Sequence, residues 1–221
     1  MRWTELPIHF IDFEGSVGSG VLEYGVVTIQ DGKIASTRSR LCGAVGVIKG
    51  EDVAIHGLSP AVLGGMSPFA DDWEYFAQLR ESGPLAAHFA SVENSLLKAV
   101  WPYPRNSPNF ARPGENLIDW GPWIDSARIF GRLFPSFKSG RLEVLVRACG
   151  LQEDLDHSAA QFCPVERRRY HAALYDSLAG AHLLLFLAGD ERLAALSVMQ
   201  LMALSVLSSD KRDSLLQDEL F

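Results

Sequence analysis

Residues 9–14 read His-Phe-Ile-Asp-Phe-Glu, and this stretch limits most sharply what the chain can become. Four of the six are apolar or aromatic, which predicts a buried strand. Residues two apart in a strand share a face. Asp12 and Glu14 therefore leave the sheet together, with Ile11 and Phe13 on the other side. Two like charges at the end of an apolar strand are unfavourable unless something positive sits between them. A hard divalent cation with oxygen ligands meets that need. Residues 15–20 then supply a glycine-rich loop that a substrate could approach closely. The plainer reading is a pair of solvated strand-end acids, so partners for the pair must be sought downstream.

With 221 residues and 48% hydrophobic content, the chain predicts one sizeable core. The formal net charge is −7, which excludes a broad basic nucleic-acid footprint; any such contact must be local and partly carried by metal. Cys42, Cys149 and Cys163 are odd in number and lack Cys-x-x-Cys spacing. They point to a reducing cytoplasm, without a disulfide frame or a zinc site. No basic start followed by an apolar signal core opens the chain. The apolar run 193–207 contains Gln200 and two serines and falls short of the ~18 residues of a membrane helix. No membrane partner is expected, and the run predicts a core-packed helix.

In chain order, strands are expected at 8–13, 21–29 and 33–42, with Asp31-Gly32 as a hairpin turn, giving an antiparallel meander. Residues 43–68 are glycine-rich and irregular. Ser67 predicts the cap of a helix reaching residue 79, with Pro68 at its first position. A short strand is expected at 84–88, then a helix capped by Ser91 with Val92, Leu96, Leu97 and Val100 at helical spacing. Residues 101–122 carry five prolines and read as a long loop or insertion. A short strand at 123–125, a helix through 134, a helix at 141–149 closed by Gly150, and a loop at 153–164 follow. The longest helical region is expected over 165–188, then a final helix over 191–207 and a charged tail. This order predicts an α/β fold, a mixed sheet with helices on its faces. Residues 1–190 form one domain, and 191–221 pack on it or extend it.

Two further stretches carry candidate acids. Glu93 falls in the first turn of a helix directly after a strand, where the helix dipole favours an anion. Asp176 lies in a helix otherwise made of Ala, Leu and Tyr, and such a carboxylate faces solvent or a metal. His171 stands five residues earlier, roughly 140° away around a helix of 3.6 residues per turn, which puts it in the loop or first turn before that helix. A mobile imidazole beside carboxylates suits a general base near neutral pH. Taken singly, Glu93 reads as an ordinary first-turn acid, His171 as a half-exposed loop histidine and Asp176 as a surface acid.

Together, Phe10-Ile11-Asp12-Phe13-Glu14, then His88 with Glu93, then His171 with Asp176 opening an Ala/Leu-rich helix, resemble the DEDDh 3′–5′ exonucleases. That group includes the DNA polymerase III epsilon proofreading subunit, RNase T and oligoribonuclease. Ile55-His56-Gly57-Leu58 also looks like a loop those enzymes carry. The resemblance covers roughly residues 7–187. It implies a ribonuclease H-like mixed sheet, three antiparallel strands then parallel ones, flanked by helices. It implies that Asp12, Glu14 and Asp176 hold two Mg²⁺ or Mn²⁺ ions. Glu93 takes the place of the third aspartate and His171 that of the general base. The partner implied is a single-stranded nucleic acid 3′ end, DNA favoured, cut to nucleoside 5′-monophosphates. Phe13, through its backbone, Gly15 and Ser16 are placed where the terminal nucleotide docks, with His88 and Phe89 beside it. His56 fixes its loop or contacts substrate. Arg167, Arg168 and Arg169 read as a solvated basic face, with phosphate contact as the alternative; His9 and His157 take no role.

Two departures stand out. The family usually has Asp where this chain has Glu93, and often Asn where it has Phe89. They motivate an alternative, a catalytically weak nucleic-acid-binding module. A third reading is a polymerase-associated subunit docking through 193–207; a homodimer is the other protein partner entertained.

Overall fold

The computed structural model describes residues 1–206. Strands β1 (Ile8–Ser16), β2 (Gly20–Gln30) and β3 (Lys33–Leu41) form the expected meander. Asp31 and Gly32 both adopt positive φ, 52° and 71°, as a two-residue hairpin turn requires. On its other side β1 pairs in parallel with β4 (Leu85–Ala87). Beyond the small ribbon of β5 (Ser107–Pro108) and β6 (Asn116–Leu117), β7 (Trp123–Asp125) pairs in parallel with β4. The main sheet runs β3-β2-β1-β4-β7. This is the mixed sheet of three antiparallel then parallel strands that the sequence predicts.

Helices cover both faces: α1 (Gly50–His56), α2 (Pro60–Leu63), α3 (Trp73–Ser82), α4 (Ala90–Val100), α5 (Ser126–Leu133), α6 (Leu142–Ala148), α7 (Gln152–Phe162), α8 (Ala173–Ala188), α9 (Glu191–Ala194) and α10 (Val198–Ser205). Alternation in β1 feeds two cores. Phe10 joins Val27, Ala86 and the α8 residues Leu178 and Leu184. Ile11 and Phe13 join Tyr24, Phe69, Phe76 and Trp120 on the other face.

Two glycines let α8 lie close on the sheet. A Cβ on Gly25 would stand 2.3 Å from the Ala173 carbonyl oxygen, and one on Gly180 2.0 Å from the Phe10 ring. The first contact pins the start of α8 over β2, which brings Asp176 to the acidic end of β1.

Several local expectations are corrected. Residues 153–164 are not a loop: 152–162 form α7, whose polar surface hides a narrow buried side of Leu155, Ser158 and Ala159. The long helix begins only at Ala173, because 164–172 form a 3-10 turn and an irregular approach. The final helix is broken in two at Ser197, whose hydroxyl and Gln200 make a capping box. Ser67 caps nothing; Phe69–Asp72 is a 3-10 turn leading into α3. Residues 43–68 hold α1 and α2. Ser91 lies inside α4 rather than capping it.

The 101–122 stretch is tied down. Fully buried Arg80 donates to the carbonyls of Asp119 (3.0 Å) and Pro108 (2.8 Å), and Trp120 Nε1 donates to the Trp101 carbonyl (2.8 Å). Residues 191–206 pack back on the domain: Trp3 donates to the carbonyls of Leu193 and Leu196, and Val198, Met199, Leu201 and Ala203 are buried. The apolar helix thus turns inward rather than offering a docking face. The charged tail expected after Ser208 lies outside the described residues. No described helix is long and apolar enough to cross a membrane.

Candidate active site

The acids expected to converge do so at one end of the sheet. Glu14 sits at the end of β1, directly before a register shift at Gly15. Gly15 has φ +132°, and a Cβ there would stand 2.3 Å from the Gly20 carbonyl oxygen, so glycine alone permits this tight return. Ser16 is turned to Ser19, its N–H donating to Ser19 Oγ at 3.0 Å. Phe13 does not face the site: its ring packs against Phe69 and Phe76 in the core, leaving only its backbone available.

Asp176 enters from α8. One oxygen of Glu14, one of Asp176 and one imidazole nitrogen of His171 lie within 4.8 Å of one another. Glu93 enters from the first turn of α4, and the Phe13 amide hydrogen-bonds to its carboxylate. Asp12 completes the group, feeling the charges of Glu93, Asp176 and Glu14.

Crowding and burial shift every member upward. Burial first, then the charges of Glu93, Asp176 and Glu14, hold the Asp12 carboxyl well above its usual range. Burial and the charges of Asp176 and Glu23 push Glu14 up to about 8. Glu93 is pushed to about 8 by burial and Glu14, against the Phe13 hydrogen bond. Asp176 is pushed to about 7 by burial, against the hydrogen bond from the His171 amide.

Two carboxylate oxygens, Glu93 Oε2 and Asp176 Oδ1, are buried with no hydrogen-bond donor. A buried acceptor without a partner costs free energy. Four clustered carboxylates, two of them with an orphaned oxygen, form a donor set for hard divalent cations. The residues present fit such a metal.

His171 is placed by strained backbone. Its φ is +61°, in the left-handed region that costs a residue with a side chain. Its N–H donates to Asp176 Oδ2 at 3.0 Å, and its side chain is exposed.

The structure gives Glu23 and Asp125 parts that the sequence does not suggest, and gives Arg167 a part other than those expected of it. Glu23 stands opposite Glu14 in the β1–β2 register and is buried. Its carboxylate accepts from the Ala173 N–H at the start of α8 (3.1 Å) and forms an ion pair with Arg167. Arg167 also donates to the carbonyls of His56 (2.7 Å) and His171 (3.3 Å). Arg167 is thus drawn in from the expected solvated face, whereas Arg168 and Arg169 stay exposed while donating to backbone carbonyls, Arg169 to His56 and Arg168 to Cys163 and Ala160. Glu23 had one signal in the sequence, a lone acid in an otherwise apolar strand. Asp125, at the end of β7, had no signal there. It accepts from the amides of Phe89 (3.3 Å) and Ala90 (3.1 Å), fixing the start of α4 from another strand.

His88 is held within the protein. The Gly140 carbonyl accepts from Nε2 at 2.7 Å, and Nδ1 faces Ser126 Oγ at 2.9 Å, so both ring nitrogens are engaged. His56 is buried, its Nδ1 accepting from the Leu58 amide at 2.9 Å, as expected of a loop-fixing residue; its Nε2 is left without a partner. Phe89 is 47% exposed with φ +62°.

No protein-family model matches the chain, and no curated protein matches it in sequence. Solved structures match its fold. Exonuclease X, in complex with 5′-overhanging duplex DNA, is 22% identical at a TM-score of 0.64, over 90% of this chain and 99% of that one. The nuclease domain of 3′hExo, a DEDDh family member bound to rAMP, is 14% identical at 0.60, over 86% of this chain and 96% of that one. The zinc-bound E. coli ExoI complex with single-stranded DNA is 13% identical at 0.60, over 85% of this chain but only 41% of that one. The chain thus has the ribonuclease H-like fold of these exonucleases.

Proposed function

We propose that this chain is a metal-dependent 3′–5′ exonuclease acting on single-stranded nucleic acid ends, DNA favoured, and releasing nucleoside 5′-monophosphates. One observation carries the reading. Asp12, Glu14, Glu93 and Asp176, from β1, α4 and α8, lie near enough to act on one another's charge, and two of their oxygens are buried without donors. The structural neighbours are described as exonucleases, several in complex with DNA, which supports the same reading.

Asp12, Glu14, Glu93 and Asp176 would hold two Mg²⁺ or Mn²⁺ ions. Such ions supply Lewis-acid stabilisation of the phosphate and of the leaving 3′-oxygen, and lower the pKa of bound water. The protein's own work lies around that centre. His171, on its left-handed turn, is set to take the proton from the attacking water at a ring nitrogen. Its N–H bond to Asp176 ties base and ligand to one turn of chain. Gly15 and Ser16 offer a loop whose backbone a terminal nucleotide can approach. Glu93, one methylene longer than aspartate, starts from a helix fixed by Asp125 and so still reaches the centre.

The three free thiols fit a reducing cytoplasm. Neither a polymerase nor a homodimer partner gains support, since the apolar α10 is buried against α5 and β7.

Incubating the protein with single-stranded DNA and RNA in Mg²⁺ or Mn²⁺, and separating the products by chromatography, tests the proposal. Nucleoside 5′-monophosphates that vanish with chelator are expected, sooner from DNA. Binding of strands without any mononucleotide would reduce the chain to a binding module.

A further inference from the structure

Phe89 occupies a position the backbone reserves for a different kind of residue. It stands at the N-cap of α4 with φ +62° and ψ +55°. Glycine, asparagine and aspartate tolerate this left-handed region; a bulky residue there is an outlier. The conformation is imposed from outside, because Asp125 accepts from the amides of both Phe89 and Ala90. Whatever residue stands at 89 must turn this way to start the helix that carries Glu93.

The aromatic ring does not repay that strain by filling the core, since the residue is 47% exposed. It packs only partly, edge to face on the His88 ring with centroids 4.9 Å apart, and its tip points toward Gly140. His88 is immobilised by Ser126 and the Gly140 carbonyl, so the phenyl ring rests on a rigid support. Val92, 54% exposed, extends the apolar surface. The result is a rigid, half-exposed aromatic one helical turn ahead of Glu93.

We infer that Phe89 is a stacking platform for a base of the single-stranded substrate, upstream of the nucleotide being removed. The inference rests on the exonuclease reading and deepens it. An acidic chain of net charge −7 draws little affinity from phosphates, because the salt-dependent term scales with the number of phosphates neutralised. Stacking on an aromatic needs no charge and tolerates any base, since every base has a π-face. An enzyme that shortens strands regardless of sequence needs that kind of contact.

The test measures binding of fluorescent oligodeoxynucleotides with Ca²⁺ replacing Mg²⁺, so that affinity is read without turnover. Each oligonucleotide carries one abasic residue at a successive position from the 3′ end. The wild type is expected to lose about tenfold in affinity at one position. Phe89→Asn should bind the intact strand about tenfold more weakly and be indifferent to the abasic residue at that same position. Its salt dependence should match that of the wild type, and its Tm should rise, because Asn accepts the left-handed backbone. Equal abasic penalties in both proteins, an unchanged intact-strand affinity, or a lowered Tm would overturn the platform. If the wild type digests strands and Phe89→Asn binds them equally well, the platform alone falls. If the wild type neither binds nor digests them, the exonuclease reading falls with it.

Discussion

The backbone N–H of His171 donates to Asp176 Oδ2 at 3.0 Å, across a turn in which His171 itself is left-handed. The proposed general base and a proposed metal ligand are thus tied by one local hydrogen bond. His171→Ala should leave folding intact, because the side chain is exposed and the bond to Asp176 comes from the main chain. Turnover should fall roughly 10²–10⁴-fold, the range for loss of a general base. Circular dichroism and single-turnover digestion check the two halves; an unchanged rate removes His171 from the reaction.

Glu14, Glu93 and Asp176 are raised from ordinary values of 4.5, 4.5 and 3.8 to about 8, 8 and 7. Between about pH 4 and 8 the folded protein therefore holds protons that the unfolded chain has released. Where the native state binds more protons, stability falls as pH rises. The contribution of these acids should decline across that window in chelator. Saturating Mg²⁺ or Mn²⁺ should raise the Tm at pH 8 by about 5–10 °C, as expected of a ligand at ~100 times its Kd on a domain this size. The metal effect should shrink toward pH 5, where protons compete for the same oxygens. Differential scanning fluorimetry at several pH values reads both trends, and a metal effect that grows on acidification contradicts them.

Glu93→Gln follows from the same repulsion. In chelator at pH 8 it should be more stable than the wild type by about 1–2 kcal/mol, since it removes a charge buried among like charges without removing bulk. In metal it should be less stabilised and should digest strands far more slowly. A lower Tm without metal would mean that Glu93 holds the fold rather than the cation.

Much of the candidate site was legible in the sequence. Asp12 and Glu14 declare themselves because an apolar strand cannot end in two acids without a reason. His171 was correctly placed before α8 by the five-residue offset from Asp176. What was not legible depends on contacts between distant residues. Ser91 was a reasonable cap by local chemistry, yet Asp125 does the capping from another strand, 35 residues from Ala90. Arg167 looked as solvated as its neighbours Arg168 and Arg169 because nothing local shows that it meets Glu23, 144 residues away. Helix α7 was missed because its surface is polar nearly all round and only a narrow side is buried.

Glu23 and Arg167 test that long-range layer. Their ion pair links β2 to the His56 and His171 carbonyls and to the start of α8. Glu23→Gln leaves a largely buried guanidinium without its countercharge, which should cost about 3 kcal/mol. A drop in Tm of roughly 6–12 °C is expected for a domain this size. Because the His171 turn is loosened with it, kcat should fall more than KM rises. A variant as stable and as active as the wild type would show that the pair positions nothing.

The central claim is that four acids from three elements form one hydrolytic centre working from the 3′ end. A single-stranded oligonucleotide labelled at its 5′ end, incubated in Mg²⁺ with the wild type and with Asp12→Asn, addresses it most directly. The account predicts that the wild type gives a ladder of labelled fragments shortening one nucleotide at a time, and that Asp12→Asn leaves the strand whole. Immediate release of the label as a mononucleotide, or equal digestion by the variant, would contradict it.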